Sequence, residues 1–244
     1  MRKRVETGIA GIDKMLYGGI PEGNDVVVAG GPGSGKTLFS MEFLYRNAKQ
    51  GEIGIFISLE EDTSMIIENA TNAFTDLSDL KQLIDNKKLV VYGTDKTGMY
   101  MQREAQTSSY TFGKFVTAIE SLIETYNATR VVIDSVSLIK LLIRDPFEYR
   151  TVSMNLVSVL RRFNVTSLLT MEIEAPDREK LVFLPEFFVY DGIFVMYSGE
   201  AEAGNRVPSI EIVKMRGSAH SYATVPYEIT PSGINIMLLN ERKL

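Results

Sequence analysis

Residues 25–37 read Asp25-Val26-Val27-Val28-Ala29-Gly30-Gly31-Pro32-Gly33-Ser34-Gly35-Lys36-Thr37. An apolar run ends in a glycine-rich loop closed by lysine and threonine, the pattern G-x-x-x-x-G-K-[ST]. Glycines let the backbone turn tightly and bring successive N–H groups to face an anion. After the loop, Leu38, Met41, Leu44, Tyr45 and Ala48 recur at helical spacing until Gly51 stops the pattern. A helix starting here aims its positive end at phosphate. The pattern predicts a phosphate loop that holds ATP with Mg²⁺, lined by Gly31, Pro32, Gly33, Ser34, Gly35, Lys36, Thr37 and Leu38. Lys36 is expected on the β- and γ-phosphates and Thr37 on the metal.

Working outward, apolar runs alternate with helical patterns. Strands are expected at 25–29, 53–59, 88–92, 130–133 and 165–171, with helices at 38–49, 62–74, 112–126 and 147–163. This alternation is the signature of βαβ units, hence an α/β fold with a mainly parallel sheet flanked by helices. Beyond it, runs at 192–197, 209–215, 224–229 and 233–238 are separated by turn-sized gaps. Short connections require antiparallel pairing, so a C-terminal meander should extend the sheet. Segments 94–111 and 173–186 lack periodicity, follow strands and are long for connections, which makes them functional-loop candidates. No repeat or linker is visible, and the expectation is one domain over residues 1–244.

In an open α/β sheet ligands lie beyond the carboxyl ends of the strands. The run Val131-Val132-Ile133 ends in Asp134-Ser135, and an Asp there is the expected partner of Thr37 and Mg²⁺. The run at 53–59 ends in Glu60-Glu61. Hydrolysis needs a group to orient and deprotonate water in line with the leaving oxygen; Glu60, nearest the strand, is the candidate base. Glu61 either helps to orient it or serves as a first-turn acid on the next helix. Thr170, at the end of its own run, is a candidate sensor of the γ-phosphate.

Composition excludes several classes. There is no cysteine and one histidine, His220, so disulfides, thiolate catalysis and His- or Cys-rich metal sites are out. No run of apolar residues is long enough to span a membrane, and the basic start lacks the apolar stretch of a secretory signal. A cytoplasmic location is expected. The formal net charge of −5 weighs against a nucleic-acid partner.

With these residues in order, the chain resembles a single-domain relative of the KaiC ATPases within the RecA/RadA superfamily. The resemblance includes Thr7-Gly8-Ile9, Gly11-Ile12-Asp13, Gly18-Gly19-Ile20-Pro21-Glu22-Gly23 and, most specifically, Lys214-Met215-Arg216-Gly217-Ser218-Ala219-His220. It implies that Lys214, Met215, Arg216, Ser218 and His220 reach a neighbour's nucleotide across a subunit interface, in a homo-oligomeric ring, most often a hexamer. By the same resemblance Asn72 and Thr230 lie near the nucleotide, and hydrolysis is slow. Lys214 and Arg216 alternate along one strand and so leave one face, as a pair of cations acting like an arginine finger in trans. Pro231 stands where many relatives carry an acid. Clock proteins of the family fuse two such domains and phosphorylate Ser/Thr in the second, which one domain does not support. Two alternatives stand beside the ATPase: a RecA/RadA-type DNA-binding accessory protein using 94–111 and 173–186, and a nucleotide-gated assembly factor similar to the archaeal motility accessory ATPase.

Overall fold

The structure is a computed structural model that describes residues 2–96, 108–143, 145–174, 177–199 and 206–238. Its spine is β3 (Asp25–Gly30), buried along its whole length. Three consecutive valines suit a strand covered on both faces, where β-branched side chains pack with little loss of freedom. Parallel neighbours flank it, β7 (Thr166–Glu172) on one side and β8 (Gly192–Tyr197) on the other. Beyond β7 the sheet continues through β6 (Arg130–Asp134), β4 (Gly54–Ser58) and β5 (Leu89–Tyr92), all parallel. Beyond β8 come β9 (Ser209–Met215), β10 (Val225–Thr230) and β11 (Gly233–Ile236), each antiparallel to its neighbour. Among the described residues the sheet has nine strands in the order β11-β10-β9-β8-β3-β7-β6-β4-β5. The mainly parallel sheet and its antiparallel extension are both as expected from the spacing of the apolar runs.

Each face of the sheet carries its own apolar layer. One layer packs α2 (Lys36–Lys49), α3 (Thr63–Ala73) and α4 (Leu80–Asp85), with α1 (Ala10–Met15), against Val26, Val28, Phe56 and Phe194. Phe39 of α2 meets Phe194 edge-on with ring centroids 6.1 Å apart. The other layer packs α5 (Ser108–Tyr126), α6 (Val136–Leu142) and α7 (Pro146–Arg162) against Val27, Ala29, Ile55 and Ile133. Successive residues of β3 thus supply opposite layers, as strand alternation requires. Separately, β1 (Arg4–Val5) pairs with β2 (Ile20–Pro21) around α1. No helix among the described residues is long and apolar enough to cross a membrane.

Boundaries differ from expectation in physically simple ways. Helix α2 begins at Lys36 rather than Leu38, because Gly35 takes a left-handed φ of 87° and releases the chain into the helix one residue later. Helix α7 begins at Pro146, suited to a first helical position, while the Asp145 side chain accepts the Glu148 N–H at 2.7 Å. Of the loop candidates, 97–107 lie outside the described residues, and the helix after them opens at Ser108 rather than at 112. In the second, 175–176 lie outside, and Pro185–Phe188 forms a 3₁₀ turn.

Candidate active site

The phosphate loop, residues 30–37, leaves β3 at the carboxyl edge of the sheet and turns into α2. Gly33 holds a φ of +73°, and a side chain added to it would meet nothing within 4 Å. The space beside Gly33 is therefore open. Elsewhere the loop is braced. The Tyr227 hydroxyl of β10 donates to the Ser34 carbonyl, and a Cβ at Gly35 would stand 2.8 Å from the Ile229 side chain. The Ser34 hydroxyl is buried and has no hydrogen-bond partner among the described residues. Leu38, half-buried, packs against the core beneath the first turn of α2.

Lys36 is buried and donates to the carbonyls of Gly30 and Gly31, each at 3.0 Å, which uses two of its three protons. Thr37 donates its hydroxyl to Asp134 Oδ2 at 2.8 Å. Asp134 Oδ1 accepts from Thr170, so one carboxylate gathers two strands and the start of α2. Thr170 is wholly buried and spends its hydroxyl on Asp134 rather than facing the open side of the loop. Burial pushes the Asp134 carboxyl up from its usual range, Glu60 adds to the rise, and the bonds from Thr170 and Thr37 pull it back. Burial likewise lowers the Lys36 ammonium, opposed by the charges of Glu172, Asp134 and Glu60.

Glu60 stands beyond the end of β4, with Oε1 accepting from the Ser135 hydroxyl. Strands β4 and β6 pair Ser58 with Asp134, which puts Glu60 beside the Asp134–Ser135 corner. Glu61 turns the other way: its carboxylate accepts from Asn69 of α3 at 3.1 Å, while its N–H is held by Ser58. Asn72 is exposed on the last turn of α3, and Thr230 ends β10 with its hydroxyl on the Gly233 carbonyl at 2.7 Å. Pro231 accepts the Asp76 N–H at 3.1 Å, which joins the end of β10 to the chain just past α3.

The segment 214–220 lies elsewhere. Gly30 pairs with Met196, and Met196 with Ile210; Val27 pairs with Ile193, and Ile193 with Lys214. Three residues of strand separate those levels, about 10 Å at the usual rise, so Lys214 sits toward the amino end of the sheet. Its Nζ donates to the carbonyls of Phe187, at 2.9 Å, and Tyr190. Arg216 donates to the Phe188 carbonyl at 2.6 Å and to Asp191 at 3.4 Å. Both cations thus leave one side of the strand and settle on residues 187–191. Asp191 also takes Arg161 at 3.0 Å, and Arg161 reaches the fully buried Asp25 at 3.1 Å. Desolvation lowers Lys214 to about 8, and the charge of Arg216 adds to the shift. Met215 is buried, Ser218 accepts from Arg4 at 2.9 Å, and neither ring nitrogen of His220 has a partner among the described residues.

The family model described as "ATPase: KaiC" matches residues 5–241. A UPF0273 protein of Pyrococcus horikoshii is 34% identical over 236 residues, spanning 96% of this chain and 94% of the relative. The chain belongs to the KaiC ATPase family. Circadian clock oscillator protein KaiC 1 of Synechocystis sp. is 32% identical over 243 residues, 99% of this chain but 46% of that protein. The crystal structure of a KaiC-like protein from Pyrococcus horikoshii matches with a TM-score of 0.81 at 29% identity, over 98% of this chain and 100% of that one. The sheet of this KaiC-family chain is accordingly of the RecA-like kind.

Three residues of this KaiC-family site escaped sequence reasoning. Ser135 holds Glu60, Ser58 holds the turn bearing Glu60 and Glu61, and Tyr227 supports the phosphate loop from behind. The first two had a weak signal, a hydroxyl residue at a strand end. Tyr227 had none, since 193 residues separate it from Ser34.

Proposed function

We propose that this chain binds ATP with Mg²⁺ and hydrolyses it slowly as a ring oligomer, with each nucleotide held between neighbouring copies and turnover coupled to conformational or regulatory change. One observation carries the reading: the phosphate loop, Asp134 and Glu60 share the carboxyl edge of the sheet, whereas Lys214 and Arg216 sit toward its amino edge, turned onto residues 187–191. A site built on the loop has Lys36 for its terminal phosphate and gains Lys214 and Arg216 only if another copy brings them.

The residues fit both ligands. The open space beside Gly33 and the free proton of Lys36 suit a polyphosphate. Thr37 gives its proton to Asp134 and keeps its lone pairs for a hard cation, which prefers oxygen donors. When bound, Mg²⁺ offsets charge on the phosphate oxygens. Glu60, fixed through Oε1 by Ser135, keeps Oε2 to orient a water and take its proton. Lys36 steadies the β- and γ-phosphates, and Lys214 and Arg216 of the next copy neutralise charge growing on the terminal oxygens. By the family resemblance His220 and the backbone near Met215 and Ser218 meet the base or ribose of that nucleotide. By the family resemblance Asn72 and Thr230 of the same copy complete the nucleotide site. Lys36 and both trans cations are engaged with carbonyls of their own chain, and their release before chemistry accords with slow turnover.

The test is calorimetric titration of ATP in magnesium buffer, with phosphate release measured alongside. Uptake of ATP that disappears in Lys36→Ala, with turnover in the wild type, is the expected result. No heat of binding, or equal binding by Lys36→Ala, overturns the reading. Turnover regained on mixing Arg216→Ala with Lys36→Ala marks action in trans; persistent inactivity of that mixture counts against it.

A further inference from the structure

The flank of the molecule that carries the parked cations also carries an apolar collar. Phe147 at the start of α7 is 79% exposed, Leu141 at the end of α6 is 74% exposed and Phe188 in the 3₁₀ turn is 66% exposed; Leu142 and Phe183 are exposed beside them. Scattered exposed apolar residues are ordinary, but four on three adjoining elements, with Phe183 just before the third, form a patch of the sort that marks an interaction site. At its centre is a cavity of about 290 Å³ walled by Ile143, Pro146, Tyr149 and Pro185, with Lys140, Arg150 and Glu186 supplying charge. Lys140 pairs with the buried Glu186. Arg150 is exposed and has no ion-pair partner among the described residues, so the cavity holds one cation in excess.

Such a cavity fits an acidic side chain on an apolar surface, and the chain presents one on its nucleotide side. Helix α3 follows Glu60 and Glu61 and exposes Met65 and Glu68. At a spacing of three these share one helix face, which places an acid beside an apolar side chain. We infer that the collar on α6, α7 and the 3₁₀ turn is where a second copy of this chain docks, with Glu68 of its α3 entering the cavity beside Arg150. Two different surfaces of the same chain are used, so the contact is head-to-tail and closes a ring when the rotation permits.

The inference rests on the reading that Lys214 and Arg216 serve a neighbour's nucleotide, and it extends that reading. The collar and the two cations share residues 185–191: Phe188 lends its side chain to the patch and its carbonyl to Arg216, and Glu186 lines the cavity. A copy whose nucleotide side faces those cations brings its α3 to the same flank. The match of surfaces is one of charge as well as of apolar area, since complementary potentials set register between partners.

The experiment is sedimentation velocity with Mg²⁺ and a non-hydrolysable ATP analogue, over a range of chain concentrations. The exposed pair Phe147→Ser with Phe188→Ser should raise the concentration at half-assembly about tenfold or more, as expected for loss of apolar anchors. Glu68→Lys and Arg150→Glu should each raise it about tenfold, and the two together should return it to within about threefold of wild type, because the charges are exchanged rather than removed. Melting curves for each variant separate a docking defect from an unfolded chain. Assembly of the double serine variant at the wild-type concentration overturns the inference, and so does a charge-exchanged pair no better than its worse single. If the wild type itself stays monomeric, the ring reading falls with it. If mixtures of Arg216→Ala and Lys36→Ala regain turnover while all surface variants assemble normally, only the docking surface is wrong.

Discussion

The two edges of the central sheet are built on opposite plans. At the carboxyl edge polar side chains turn on one another: Thr37 and Thr170 meet on Asp134, Ser135 meets Glu60, and Lys36 folds over its own loop. At the amino edge the cations turn away from that point and rest on backbone carbonyls and a shared carboxylate, Asp191. The first edge is organised around something it surrounds. The second is stocked with charge that its own chain consumes only in holding residues 187–191. An inward cluster can be understood from one chain, whereas on the proposed reading the displaced cations serve another.

That contrast can be broken at either edge. The largest expected effect is at the amino edge: Arg216→Ala should lower turnover by about 10³-fold or more, the usual scale for a cation supplied in trans. Phosphate release by the variant measures it, and near-normal turnover would reduce Arg216 to a structural tie. Next, Glu60→Gln should lower turnover by about 10²–10⁴-fold while ATP titration by calorimetry stays intact. If binding is lost as well, Glu60 is part of the cradle rather than the base.

A smaller effect is pH-dependent. Lysine is cationic below its pKa, and desolvation has brought Lys214 down to about 8, so its charge is present below that value and lost above it. The kcat/KM for ATP, which reports the free chain, should fall about tenfold between pH 7 and pH 9 if it needs this charge. Lys214→Arg, which stays charged, should flatten that limb; a profile identical in both proteins would show that Lys214 does not titrate in the rate. Smallest is a pair of glycines with like backbone. Gly35 has φ +87° and crowds Ile229, whereas Gly217 has φ +71° and nothing within 4 Å. Alanine should cost about 1–2 kcal/mol at Gly217 from left-handed strain alone, and more at Gly35. Chemical denaturation compares them, and equal costs would show that the Ile229 side chain yields freely.

The carboxyl edge was legible because its residues are tied to strand ends. A run such as Val131-Val132-Ile133 announces where it stops, and parallel pairing places the stops of neighbouring runs side by side. The glycine loop and the meander were legible for the same reason: short-range pattern decides them. Helix α6 was not, since seven residues between Ser135 and Ile143 give less than two turns over which a period can show. Helix α4, of six residues, is as short. The contacts of Lys214 with Phe187 and Tyr190 bridge 27 and 24 residues and end on carbonyls, which carry no mark in the side-chain alphabet. Glu61 was ambiguous because either carboxylate of the pair could face the loop, and the choice is made by Asn69 on the helix that follows.

Tyr227 and Ile229 brace the phosphate loop from alternate positions of one strand. Side chains of a strand change face with every residue, so a single residue added or deleted between them and the preceding turn's end at Val225 would send the hydroxyl to the opposite layer. Past His220 the chain can absorb a change in length beside the exposed Tyr222, but the strand cannot. In a library of random insertions, then, the last forty residues should divide sharply into tolerant turns and a strict count across Val225–Thr230, with the strictness owed to a loop nearly two hundred positions earlier.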